Sequence, residues 1–185
     1  MRIDAGSHRG VKLASPEGLD TRPTSDRARQ AVFNILMNAY DAVRDAKVLD
    51  VFAGSGAMGL EALSRGAERA TFLENERGAA ETIKHNIAAC KEQARAQLFI
   101  ADAARPPRAA PGPWAPASLV FLDPPYGKDL IMPALIAARD AGWIADQALL
   151  VAEMHRRDTF AAPEGFEMLD DRLYGKARII LLRAA

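Results

Sequence analysis

From Lys47 to Ala152 the chain repeats one unit: a short apolar run, a turn, then a helical pattern. The apolar runs are Val48–Phe52, Ala70–Leu73, Gln97–Ile100, Ser118–Leu122 and Ala148–Ala152. Helical patterns follow at Ala57–Arg65, which stops at Gly66, at Arg77–Ala89 and at Leu130–Ala141. Short continuous apolar strands are buried on both faces, and parallel neighbours require a crossover between them. The repeat therefore predicts an α/β chain with a mostly parallel sheet covered on both sides. One connection departs from it. Pro106, Pro107, Pro111, Pro113 and Pro116 crowd the segment before Ser118. Proline removes a donor and clashes with the preceding turn, so no long helix is expected there. After Ala152 the pattern changes again. Phe166–Leu173 and Ala177–Leu182 flank Tyr174-Gly175-Lys176 with no helix between, which predicts an antiparallel hairpin at the end of the sheet.

The first 24 residues read differently. Met1-Arg2-Ile3 and Gly10-Val11-Lys12-Leu13 flank Gly6-Ser7-His8-Arg9, which predicts a small β-hairpin, followed by a loop through Pro16 and Pro23. A helix over Ser25–Tyr40 is expected next, capped by Thr24 or Ser25, with Asp26 at the positive end of its dipole. Its apolar face is carried by Ala28, Val32, Phe33, Ile35, Leu36 and Ala39. With 185 residues, the division is an extension over 1–24 and one domain over 25–185. Hydrophobic residues make up 49%, enough for a core without staples, and the single Cys90 excludes an intrachain disulfide. No apolar run reaches 18 residues and Met1–Gly6 lacks a signal-peptide stretch, so a soluble cytoplasmic protein is expected. The 24 basic and 24 acidic side chains cancel, so global charge gives no argument for nucleic acid. Arg2, Arg9 and Lys12 nonetheless stand against Asp4 alone.

Two sites carry chemistry. Gly54, Gly56 and Gly59 form a G-x-G-x-x-G directly after the first strand, where glycines permit a tight turn and close approach of a ligand. Glu74 follows Gly54 at the end of the second strand, a position from which a carboxylate accepts both hydroxyls of a ribose. Strand, loop, helix and spaced acid together point to a nucleoside cofactor without saying which. Asp50, just before the loop, either caps loop amides or anchors the cofactor's amino-acid end. The second site is Asp123-Pro124-Pro125-Tyr126, at the carboxyl end of the fourth strand and facing the same crevice. Two prolines fix the backbone, so the Asp123 carboxylate and the Pro124 carbonyl stand as two acceptors matched to an exocyclic amino group. Tyr126 offers a flat face for a base.

This pairing resembles S-adenosylmethionine-dependent methyltransferases acting on base amino groups. The resemblance extends over Arg2-Ile3, Gly6–Leu13, Arg22-Pro23-Thr24, Asp26-Arg27, Phe33-Asn34, Phe52–Gly56, Gly59–Ala67 and Asp123–Tyr126. Together these blocks are similar to the RsmD family of 16S rRNA guanine-N2 methyltransferases, from residue 1 to about 155. Gln30 stands where that family's pattern has glutamate, and residues 103–117 are richer in proline than its helical segment.

The resemblance implies a Rossmann-like class I methyltransferase fold, a seven-stranded mostly parallel sheet with a C-terminal antiparallel hairpin and a small N-terminal hairpin. It implies S-adenosylmethionine bound by Asp50, Phe52, Ala53, Gly54, Ser55, Gly56 and Gly59, with Glu74 on the ribose. Asp102 would take the adenine amino group, with Asn75 and Ala103 as pocket walls. Asp123, Pro124, Pro125 and Tyr126 would hold the target guanine. Arg2, His8, Arg9, Lys12, Arg22, Arg27 and Arg29 would contact phosphates of 16S rRNA or of the 30S subunit. Arg22 and Thr24 would alternatively order a lid. A monomer without metal and without membrane contact is expected.

Other readings differ in what they require. An amino-methyltransferase acting on DNA adenine or another RNA is permitted by Asp123–Tyr126 alone. A nicotinamide-dependent oxidoreductase needs a hydride-transfer acid or base, and no Tyr-x-x-x-Lys appears. A non-catalytic RNA-binding module would not need the intact loop, Glu74 and Asp123. His85, Cys90, Trp114 and Trp143 read as surface or packing residues, and His155 near Glu153 lacks metal spacing. Because the core strands begin near Val48, removal of residues 1–13 is expected to leave the sheet folded.

Overall fold

The computed structural model describes residues 1–16 and 26–185. The expected caps Thr24 and Ser25, and Arg22, lie outside them. The elements follow in the order α1 (Asp26–Asn38), β1 (Lys47–Val51), α2 (Ala57–Ser64), β2 (Arg69–Glu74), α3 (Arg77–Ala89), β3 (Ala96–Ile100), β4 (Ala117–Leu122), α4 (Ile131–Asp140), β5 (Ile144–His155), β6 (Phe166–Tyr174) and β7 (Ala177–Ala184). The strands form one sheet in the order β3-β2-β1-β4-β5-β7-β6. Strands β1 to β5 are mutually parallel, whereas β7 runs antiparallel to both β5 and β6. The last strand therefore slots between its two predecessors, and the C-terminal hairpin expected from the sequence is part of the sheet.

Alternation along the strands builds two cores. Val48, Phe72, Phe121 and Val151 face one side, where α1, α2, α3 and the N-terminal hairpin pack. Leu49, Leu73, Val120 and Leu150 face the other, covered by α4 and the proline-rich segment. That segment holds no helix. It is tied down by Ala109 N–H to the Ala141 carbonyl (2.8 Å) and Trp143 Nε1–H to the Pro107 carbonyl (2.7 Å). Trp143 is thus a packing residue, and Trp114 lies beneath the Arg69 guanidinium. Cys90 is buried and His85 is exposed.

The N-terminal hairpin is reduced to a single bridge, Arg2 with Lys12, and it is fastened to the domain rather than projecting from it. Ile3 and Leu13 are buried in the first core. The amides of Asp4 and Ala5 donate to the two carboxylate oxygens of Glu61 on α2, at 2.8 and 3.1 Å. Ser7 N–H donates to the Ser64 carbonyl at 2.8 Å. Gly6 sits so close that a Cβ would lie 1.8 Å from the Ser64 carbonyl oxygen, and its φ of +84° suits glycine. The Asn86 side chain exchanges two hydrogen bonds with the backbone of Ala14.

These contacts correct two expectations about the basic residues. Arg29 does not face solvent. It is 1% exposed and donates to Asp4 Oδ2 at 2.9 Å and to the Arg2 carbonyl at 2.8 Å. A buried guanidinium requires such partners, and here they consume the group expected for phosphate. His8 is likewise engaged, through Nε2, with the buried Glu92.

Candidate active site

The carboxyl ends of the parallel strands form one edge, and the predicted site residues converge there. Val51 of β1 is paired with Leu122 of β4. The glycine loop and the Asp123–Tyr126 segment therefore leave adjacent strands at the same level. Glu74 ends β2, and Ala101 N–H donates to its carbonyl at 3.0 Å, which brings Asp102 to the same edge.

The loop is built by conformations glycine tolerates best. Phe52 has φ 62°, Gly54 56° and Gly56 76°. Gly56 N–H closes back on the Ala53 carbonyl at 2.6 Å. A Cβ on Gly54 would meet nothing nearer than the Phe52 carbonyl at 3.9 Å, so the outer side of the loop is open to a ligand. Gly59 has the opposite role: its Cβ would fall 2.4 Å from the Phe72 ring, so only glycine lets α2 lie this close to β2. Asn86 Nδ2 donates to the Ser55 carbonyl at 2.8 Å and holds the loop from behind.

Glu74 is half-buried at the mouth. Its Oε2 accepts from Gly54 N–H (2.8 Å), while Oε1 accepts from the amides of Asn75 and Glu76 (2.9 Å each). The carboxylate is thereby oriented by the loop it serves, and of about four acceptor sites on a carboxylate one is left for a ribose hydroxyl. Asp102 accepts from Ala104 N–H and pairs with Arg105, which together hold its carboxyl below the usual range. Ala103 is buried beside it. Among the described residues no cluster of His, Cys, Asp and Glu has the composition of a metal centre.

Asp50 differs from its expected role as a cofactor anchor. It is 1% exposed, and Oδ2 accepts from Gly59 N–H at 2.9 Å, behind the loop. Of its two expected roles, capping is the one it performs. Burial pushes its carboxyl up from 3.8 to about 7, opposed by the Gly59 amide and reinforced by the charge of Glu74. A raised carboxyl favours the folded state at low pH, and that stabilisation is lost as pH rises from about 4 through about 7. A shift of this size corresponds to roughly 4 kcal/mol. Asp50→Asn keeps an acceptor for Gly59 and carries no charge. It is expected to resist urea better than the parent at pH 8, with the gap shrinking towards pH 5. A gap independent of pH would mean that Asp50 is ionised at no cost.

At the second site Pro124 is buried and Asp123 half-buried. Tyr126 donates its hydroxyl to Glu153 Oε1 at 2.7 Å, and its ring meets His155 edge-on at 5.7 Å. Beside them lies a cavity of about 190 Å³, walled by Pro125, Tyr126, Leu130, Met154 and Phe160, with Glu153 in its lining. Glu153 was not among the expected site residues. The available signal was an acid closing an apolar strand, the same position type as Glu74 and Asp123.

The family described as Conserved hypothetical protein 95, the RsmD family, matches residues 1–183. The chain belongs to the RsmD family. It is 38% identical over 159 residues to Ribosomal RNA small subunit methyltransferase D of Escherichia coli K12, covering 83% of this chain and 74% of that one. The Escherichia coli yhhF structure superposes with a TM-score of 0.82 at 34% identity, covering 100% of this chain and 97% of that one. The more distant SMU.776 structure, complexed with SAH, is 14% identical with a TM-score of 0.58 over 84% of this chain and 49% of that one, and shares the fold alone. The RsmD sheet is thus the mixed seven-stranded sheet of a methyltransferase, mostly parallel with antiparallel C-terminal strands. Among the described residues no helix is long and apolar enough to cross a membrane.

Proposed function

We propose that this chain transfers a methyl group from S-adenosylmethionine to the exocyclic N2 of a guanine in 16S rRNA, free or within the 30S subunit. The observation that carries this reading is the register of β1 and β4, which sets the open glycine loop beside Asp123–Tyr126. The cofactor supplies an electrophilic methyl on a sulfonium. The residues present fit it: an open loop over Gly54–Gly56, an oriented acceptor at Glu74 for the ribose, and Asp102 for the adenine amino group, flanked by Asn75 and Ala103. Asp123 and the Pro124 carbonyl accept the two N–H bonds of the target amino group. Its lone pair is delocalised into the ring and is a poor nucleophile. Two fixed acceptors hold the nitrogen nearer tetrahedral and direct the lone pair at the methyl, so that orientation does most of the work. Asp123 receives the proton released by nitrogen and passes it to solvent. The target base reaches this site unstacked from its neighbours.

Arg2, Arg9, Lys12 and Arg27 are exposed and suit phosphate contacts, which position a substrate without reading sequence. Arg22 shares that role or orders a lid, and it lies outside the described residues. The extension over 1–24 thus serves RNA contact, and a monomer suffices, since every proposed group lies on one chain.

Two measurements test the reading. Methylation of 30S particles from a strain lacking this activity, with mapping of the product, is expected to give a single N2-methylguanine in 16S rRNA. A methyl group on adenine or on another RNA would overturn it. Glu74→Ala is expected to weaken S-adenosylmethionine binding by roughly 1.5–3 kcal/mol, the scale of a hydrogen bond to a charged group. Unchanged affinity by calorimetry would assign the ribose to another residue.

A further inference from the structure

Leu122 of β4 is paired with Ala152 of β5. Asp123 directly follows β4 and Glu153 is the next residue within β5, so two carboxylates stand at one level on neighbouring strands. Glu153 is only 8% exposed, it is held by the Tyr126 hydroxyl at 2.7 Å, and it lines the cavity that begins at Pro124. A buried carboxylate in a mostly apolar pocket accepts hydrogen bonds and donates none while ionised. It strongly disfavours any ligand that presents another acceptor to it.

The bases with an exocyclic amino group differ at the neighbouring ring nitrogen. In adenine and cytosine that nitrogen is an acceptor. In guanine the amino group lies between two ring nitrogens, N1–H, a donor, and N3, an acceptor, and N1–H shares the Watson–Crick edge with it. Glu153 stands one strand over from Asp123, on the side where the Watson–Crick edge of a base held at Asp123 can reach it.

We infer that Glu153 is the residue that selects guanine, accepting its N1–H while Asp123 and Pro124 accept from N2. Tyr126 is the positioning residue that fixes the carboxylate by its hydroxyl. The inference rests on the proposed reaction at an amino group and deepens it, since Asp123–Tyr126 alone would serve adenine equally well. Adenine or cytosine in the same pose would set a lone pair against the Glu153 carboxylate, and the site would reject them without reading the surrounding sequence.

The test uses rRNA carrying 2-aminopurine in place of the methylated guanine. That base keeps the 2-amino group but has an acceptor at N1. The parent enzyme is expected to favour guanine by roughly 100-fold or more in kcat/KM, as a site built around a hydrogen bond rejects an analogue that leaves it unmade. Glu153→Gln, whose amide donates as well as accepts, is expected to narrow that preference at least about tenfold with cofactor affinity unchanged. The loss of O6 enters the guanine-to-2-aminopurine ratio of parent and variant equally, so the change in the ratio isolates the N1 partner. Cofactor affinity reports that the variant is folded. Tyr126→Phe removes the hydroxyl that holds Glu153 and is expected to narrow the ratio as well. An unchanged ratio in folded Glu153→Gln, with the parent methylating guanine, overturns this inference alone. A parent that never methylates guanine N2 overturns the proposed reaction and this inference with it.

Discussion

Replacing Asp123 with alanine is expected to lower turnover by at least about 10³-fold while S-adenosylmethionine affinity stays within a few-fold of the parent. The magnitude is that of losing a preorganised polar group aimed at the reacting centre. The separation of effects follows from position. Asp123 leaves β4, whereas the expected cofactor contacts leave β1, β2 and β3. Asp123→Asn keeps one acceptor oxygen and the side-chain shape, so it is expected to fall between alanine and the parent. Single-turnover methylation and calorimetry on the same preparations read the two quantities. Normal turnover with a large loss of cofactor affinity would place Asp123 in the cofactor site instead.

Deletion of residues 1–13 is expected to unfold the domain at physiological temperature, the reverse of what the position of the core strands implies. Glu61 is fully buried, and the deletion removes two of its donors, the Asp4 and Ala5 amides. It also strips Arg29 of Asp4 and of the Arg2 carbonyl. Glu61 and Arg29 then keep each other at 3.9 Å, with Arg65 still on Glu61 at 2.6 Å, and each buried hydrogen bond lost costs about 1–3 kcal/mol. Loss of Ile3 and Leu13 adds about 1.5–3 kcal/mol each. Together these approach the whole stability of an ordinary domain. The double change Arg9→Glu, Lys12→Glu touches only exposed side chains. It is expected to spare the melting temperature and make RNA binding less salt-dependent, since each lost phosphate contact removes about 0.7–0.9 from the log–log slope. A truncated protein with the parent's melting temperature would return the hairpin to the status of a detachable arm.

The sheet was legible because its information is local. Burial on both faces forces continuous apolar runs, and the helix Arg77–Ala89 matches its periodicity to the residue. The sequence pattern marks β5 only over Ala148–Ala152. The strand begins at Ile144, but Ala145-Asp146-Gln147 shows no apolar alternation, and Gln147 takes φ 60° where the register with β4 shifts. The glycine loop, Glu74 and Asp123 were legible because residue type and spacing carry their chemistry. Asp50 was half legible: its presence is a sequence fact, whereas its enclosure depends on α2 packing against β2. Arg29 and His8 were misread for the same reason. Their charge is written in the chain, but their partners Asp4 and Glu92 are brought to them only by the finished fold. Glu153 was passed over because an acid after an apolar run has no meaning until the cavity beside it exists.

The way the hairpin is fastened also bears on how the chain is made. Synthesis proceeds from the N-terminus, so Ile3 and Leu13 emerge before the elements they dock on. Their anchors come much later: Glu61 lies 57 residues beyond Asp4, Asn86 72 beyond Ala14, and Glu92 84 beyond His8. Until α2 and α3 have cleared the exit tunnel, the leading segment has nothing to dock on and travels with its apolar side chains wet. At the other end, β7 enters between β5 and β6 only after both of them have been made. The nascent chain therefore carries an unsettled N-terminal segment until Glu92 is available and an open β5 edge until β7 arrives. Protection from premature association over that interval falls to whatever shields emerging polypeptides at the ribosome.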